Sequence, residues 1–143
     1  MASVTYAKTT TISVEKTRVE LDRLLSKHGA TQRLVGVDDA RGIAFAGFSL
    51  AGRQVKVRVP LPTNADRGTE RQLEQRQRSR WRALLLLTKA KLEAVEMGAS
   101  TIEREFLADI SMPDGRSVHD TLAESLEKAY LTGTMRPLLG SGT

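Results

Sequence analysis

Eight cations fall between residues 67 and 91: Arg67, Arg71, Arg76, Arg78, Arg80, Arg82, Lys89 and Lys91. Guanidinium forks match phosphate oxygens, and several together set up a salt-sensitive positive field. The chemistry this stretch supports is capture of nucleic acid or of a nucleotide phosphate. At about 100° per helical residue, Arg71, Arg78 and Arg82 fall on one side. Arg76, Arg80 and Lys91 fall on another flank, with Trp81, Leu85 and Leu92 needing the core side between them. Lys56 and Arg58, on the polar face of a strand, could extend the surface. Lys16, Arg23 and Lys27 could do so from a first helix, although each alone reads as solvated decoration. The candidate phosphate-binding set is therefore Arg71, Arg76, Arg78, Arg80 and Arg82, supported by Lys56 and Arg58. Six phosphate contacts would give log affinity against log salt a slope of about −5.

Other chemistries find little support. The chain has no cysteine, which excludes disulfides, thiolate metal sites and cysteine nucleophiles. His28 precedes Gly29 and reads as a helix C-terminal cation. His119 and Asp120 are adjacent, and neighbouring helical residues diverge, so a dyad within that pair is not expected. Asp38, Asp39 and Asp114 read as turn residues. No Gly-rich phosphate loop, HExxH or GxSxG appears. No catalytic residue, metal ligand or cofactor is assigned, and the expectation is a non-enzyme. Aromatics are only 4% of the chain, too few for a base-stacking platform. Contact through the backbone phosphates is the form of nucleic-acid binding that remains.

The net charge of +5 on 143 residues conceals an asymmetry. Residues 1–66 carry +4, residues 67–91 carry +6 and residues 92–143 carry −5. The acidic part competes with any external anion for the arginines, within one chain or between copies. No apolar run approaches the roughly 20 residues of a membrane span, and no secretory h-region is visible.

The elements that must position these residues predict an α+β fold of one domain over 1–143. A sheet module over 9–62 has the order β-α-β-β-β. It is a small antiparallel sheet covered by one helix. Thr9–Ser13 is β-branched and reads as a strand, with Ser13 capping a helix over about 14–28. Strands follow at 33–37, 43–50 and 54–59, ended by Pro60 and Pro62. Residues 63–69 form a linker. A helical module over 70–133 opens with a capping box at Thr69 and Gln72 and a long helix to Met97. Two shorter C-terminal helices follow, the first from a capping box at Ser100, the last over about 118–131 and buried along Val118, Leu122, Leu126, Ala129 and Tyr130. Residues 134–143 are a tail. A sheet covered on one side leaves a face for a partner, so a homo-oligomer is expected, with Phe45 or Phe48 as a contact.

Several segments are similar to a family of small uncharacterised proteins of tailed phages and prophages. They are Arg80-Trp81-Arg82-Ala83-Leu84, Lys89-Ala90-Lys91-Leu92-Glu93-Ala94-Val95-Glu96, Glu105-Phe106-Leu107-Ala108, Pro113-Asp114-Gly115-Arg116, and Ala129-Tyr130 with Pro137-Leu138-Leu139. Ile12-Ser13-Val14-Glu15-Lys16-Thr17-Arg18 and Gly29-Ala30 add to the likeness. The resemblance implies expression in a host bacterial cytoplasm and carries no site residues. The first expectation is a phage accessory protein binding nucleic acid through backbone phosphates. The alternative is an anti-defence protein that sequesters a host nucleotide messenger or inhibits a host defence protein. A third reading is an assembly component whose basic helix meets an acidic tail.

Overall fold

The computed structural model describes residues 2–63 and 68–135, with side chains from residue 13 onward. The order is α1 (Ala2–Lys27), β1 (Thr31–Asp38), β2 (Ile43–Leu50), β3 (Arg53–Pro60), α2 (Glu70–Glu96), α3 (Ile102–Phe106), a 3-10 turn (Leu107–Asp109) and α4 (Val118–Thr132). The fold is α+β, with an antiparallel sheet in the order β1-β2-β3. Residues 64–67 of the expected linker and 136–143 of the expected tail lie outside the described residues.

The expected strand at Thr9–Ser13 is not formed. That segment belongs to α1, so the order begins α-β rather than β-α-β. Ser13 is accordingly inside the helix and not its cap: its carbonyl accepts from Thr17 Oγ1 at 3.1 Å. A β-branched run is only a weak local preference, and without a ladder partner it yields to the helical register that α1 continues.

The sheet follows its pleat. Ala44, Ala46 and Phe48 on β2 and Val55 and Val57 on β3 are buried on the inner face. Leu34, Gly36, Phe45, Gly47, Lys56 and Arg58 take the outer face, as the pairs Leu34–Gly47, Gly36–Phe45, Phe45–Arg58 and Gly47–Lys56 require. Phe48 is thus core and not a candidate partner contact. Phe45 lies on the outer face, with Lys56 Nζ 4.2 Å from its ring centroid.

Leu50 pairs with Arg53, leaving Ala51-Gly52 as a two-residue hairpin turn. Both have positive φ, +50° and +73°, the type I′ geometry that matches the strand twist. Ala51 has a Cβ where asparagine or glycine is preferred. Ala51→Asn should stabilise the fold by about 1 kcal/mol, read as a raised thermal midpoint.

Both long helices cover the inner face. They run side by side in one direction: Arg18 lies over Trp81, Glu20 meets Arg82 and His28 meets Glu96. One buried cluster unites Leu21 and Leu25 of α1, the inner sheet residues, Trp81, Leu84, Leu85 and Leu92 of α2, and Phe106 of α3. The sheet and helical modules therefore share a core.

The C-terminal part departs from expectation at two places. The cap of α3 is Thr101, not Ser100, and it accepts from the Arg104 backbone N–H. Helix α4 buries no residue. Leu126 and Tyr130, expected in the core, are 52% and 85% exposed. The helix touches the chain mainly at its N-terminal end, where Val118 N–H donates to the Ile110 carbonyl at 3.0 Å. Val118, at that end, packs against the core, and Leu122 is half-buried.

Candidate nucleic-acid interface

The capping box at Thr69 and Gln72 starts α2, and 27 residues of unbroken helix then fix where each cation points. Trp81, Leu84, Leu85, Thr88 and Leu92 set the core side. The cations divide into two flanks about it, as their spacing predicts, and the flanks have different surroundings.

One flank faces the sheet end and α3. Arg80 Nη1 donates to the Pro60 carbonyl at 2.9 Å, fastening α2 to the end of β3. Gln77 Nε2 holds the Pro62 carbonyl one turn earlier, at 3.1 Å. Lys91 Nζ donates to the Glu105 carbonyl at 2.6 Å and lies 5.7 Å from the Phe106 ring centroid. Arg76 belongs to this flank, with its guanidinium beside Gly68. Arg80 and Lys91 thus satisfy backbone acceptors that would otherwise end strand and helix unpaired.

The other flank faces α1 and is different in kind. Arg78 and Arg82 line a depression of about 410 Å³ with Ser13 and Thr17 of α1. Arg82 and Lys89 line a second, of about 310 Å³, with Glu20, Arg23 and Lys27 of α1. Arg82 and Leu86 border both, so the two make one groove along the α1–α2 seam. Among the described residues five cations line it against one carboxylate, Glu20, which sits 3.6 Å from Arg82 with both side chains more than half exposed. Such a pair contributes little to stability and leaves the guanidinium exchangeable. Arg71 is exposed near the start of α2 in the same helical row.

Lys56 and Arg58 do not join this groove, because the sheet lies between. Arg58 is near Asp109 and Asp120, which both feel its charge. Its Nε is buried without a hydrogen-bond partner. The seven candidates therefore occupy three places: Arg71, Arg78 and Arg82 on the seam flank, Arg76 and Arg80 at the sheet end, Lys56 and Arg58 on the outer sheet face. Lys89 belongs to the groove although it was not among the candidates. So do Arg23 and Lys27, which singly read as decoration. Their signal was the shared face Glu20, Arg23 and Lys27 on α1. What no local pattern carried was that α1 lies parallel to α2.

His28 sits at the C-terminus of α1, as its position before Gly29 predicts, 3.7 Å from Glu96. His119 Nδ1 does approach Asp120 Oδ1, at 3.3 Å. Side-chain torsions bring together two tips whose Cα–Cβ vectors diverge. Both side chains are more than half exposed, so the pair is a surface contact. Its hydrogen bond, with one from Ser117, holds the Asp120 carboxyl below the usual range. Among the described residues no group of three or more His, Cys, Asp or Glu could hold a metal ion.

Asp109, at the end of the 3-10 turn, behaves oppositely. Burial raises its pKa, and the attraction of Lys91, Arg58 and His119 offsets this only in part. A carboxyl whose folded pKa is raised binds its proton more tightly in the folded state. Its ionisation then costs stability as pH rises from the unfolded value through the folded one. Asp109→Asn, which mimics the protonated form, should be more stable than the parent at neutral pH. The two should converge below 3.8, where Asp109 is protonated in both states. Urea midpoints across that pH range measure the difference.

No helix among the described residues is long and apolar enough to cross a membrane. Compared with known proteins, the chain matches no family model, no curated protein and no solved structure.

Proposed function

We propose that the protein binds nucleic acid without base readout, through backbone phosphates laid along the α1–α2 groove. Its role is that of a non-enzymatic accessory protein, and the resemblance to phage proteins supports a host bacterial cytoplasm as the setting. The observation that carries the reading is the convergence of Arg78, Arg82 and Lys89 from α2 with Arg23 and Lys27 from α1 on one groove. A single basic helix is ordinary. Two helices contributing cations to the same groove, with Glu20 the one carboxylate among its described lining residues, focus positive potential on a line.

The dimensions suit a strand. Arg78 to Lys89 spans about 16 Å along α2 at 1.5 Å per residue. That is about five phosphate steps of one strand at 3.4 Å each. The groove is bordered by side chains that are themselves exposed, such as Arg82 and Leu86, which suits a polymer lying across it better than an enclosed small ligand. Trp81, Phe48 and Phe106 are buried, so they offer no ring to a base.

Titration of a labelled DNA duplex at increasing salt tests the proposal. Five phosphate contacts predict a log–log slope of about −4.5. A flat response, or no binding at low salt, overturns it. Binding of a cyclic nucleotide with none of duplex would replace it with nucleotide capture.

A further inference from the structure

We propose that the α1–α2 groove selects single-stranded over duplex nucleic acid, holding phosphates on its cations and laying bases over the apolar strip of α2 beside them. Selectivity of this kind rests on the proposed phosphate binding and says which form of nucleic acid the groove takes.

The wall that α2 gives the groove carries two rows. Arg78, Arg82 and Lys89 fall within about 40° of one another around the helix. Ala83, Leu86 and Ala90 occupy the next strip of surface, further from the core, and all three are exposed. Leu86 is 51% exposed and borders both depressions of the groove. The cationic row and the apolar row therefore run side by side over the same length. A single strand has the same two parts, phosphates along one edge and base faces along the other. A duplex keeps its base faces stacked inside and offers only phosphates and groove edges. It would leave the apolar row uncovered.

The charges are available to a strand. Arg78 of α2 and Arg23 and Lys27 of α1 make no ion pair among the described residues. Arg82 meets Glu20 at 3.6 Å and Lys89 meets Glu93 at 4.0 Å, but in both pairs each side chain is more than half exposed, so an incoming phosphate competes with a weak contact.

The row is also straight, because α2 is 27 residues of unbroken helix. In B-DNA, with about ten base pairs per turn, a strand winds through about 140° over five phosphates. A duplex must bend or untwist to keep all five on the row, at a cost in deformation. A single strand follows the row by rotating its own backbone bonds. Contact with Ala83 and Leu86 is sequence-tolerant, since every base has a face to offer.

Fluorescence anisotropy with a labelled oligothymidylate of about 12 nucleotides, and with a duplex of the same length, tests the proposal. At about 0.15 M salt the single strand should bind at least about tenfold more tightly. Its log–log salt slope should be about −3.5, against about −4.5 for the duplex, for five contacts in each. Leu86→Asn should weaken single-strand binding about fivefold, with its salt slope and the duplex affinity unchanged. The site is exposed, so circular dichroism should report an unchanged fold. Duplex binding as tight as single-strand binding overturns the selectivity and leaves phosphate binding standing. Equal effects of Leu86→Asn on both forms, or none on either, overturn the placement of the bases. Binding of neither form at low salt removes phosphate binding itself, and the selectivity with it.

Discussion

Replacing Arg78, Arg82 and Lys89 together by glutamate should reduce the salt slope for duplex binding from about −4.5 to about −2. The arithmetic follows from the groove. Each phosphate contact releases close to one condensed counterion, and this variant removes three of five. For the parent, a fourfold rise in salt should cost about 500-fold in affinity; for the variant it should cost about 12-fold. At low salt the variant should bind at least about 100-fold more weakly, because three attractive charges become repulsive. Arg82 and Glu20 are both more than half exposed, so losing their contact has little structural cost. Lys56→Glu is the informative control. It changes the same net charge by two, but on the outer sheet face, and should leave the slope unaltered. Equal effects from Lys56→Glu and from a single groove substitution would mean that net charge, not the groove, governs binding.

The parts of this fold that local patterns specify were legible in the sequence. The expected helix from Thr69 to Met97 differs from α2 by about a residue at each end, because its capping box and its Trp81–Leu92 stripe are written within one turn or one face. The strand pairs were legible for the same reason. Gln54 to Val59 alternates strictly, and Ala51-Gly52 leaves room only for a tight turn. Apart from the one-residue shift of the α3 cap, the misreadings concern partners distant in sequence. Thr9–Ser13 has strand-like residues, but no local signal says whether a ladder awaits it. Leu126 and Tyr130 have the spacing of a buried face, and spacing alone does not say whether the covering surface belongs to the same chain. The candidate site divides along the same line. Periodicity separated Arg78 and Arg82 from Arg76 and Arg80. Only the packing of α1 beside α2 shows that the first pair borders a groove, while Arg80 on the second flank is spent on the Pro60 carbonyl.

Phe106→Ala should destabilise the fold by about 3–5 kcal/mol. The ring is fully buried. It meets Phe48 edge-to-face, with centroids 5.5 Å apart and planes at 85°. It is carried on α3, whose five residues could not hold a helix unaided. The capping bond from Arg104 N–H to Thr101 and the Ser100–Glu105 hydrogen bond at 2.7 Å orient that turn, but the buried area comes from the ring. Against a total stability of about 5–15 kcal/mol for a domain of this kind, the loss is a large fraction. With a urea slope of about 1–3 kcal/mol per molar, the midpoint should fall by at least 1 M. The form of the transition discriminates between two consequences. If the ring served only to fix α3, its removal would fray residues 101–110 and leave the main midpoint in place. Phe48 belongs to the central strand and packs in the same cluster as Leu21, Trp81 and Val57. The cavity therefore opens beneath the sheet, and unfolding should remain a single transition with an unchanged slope.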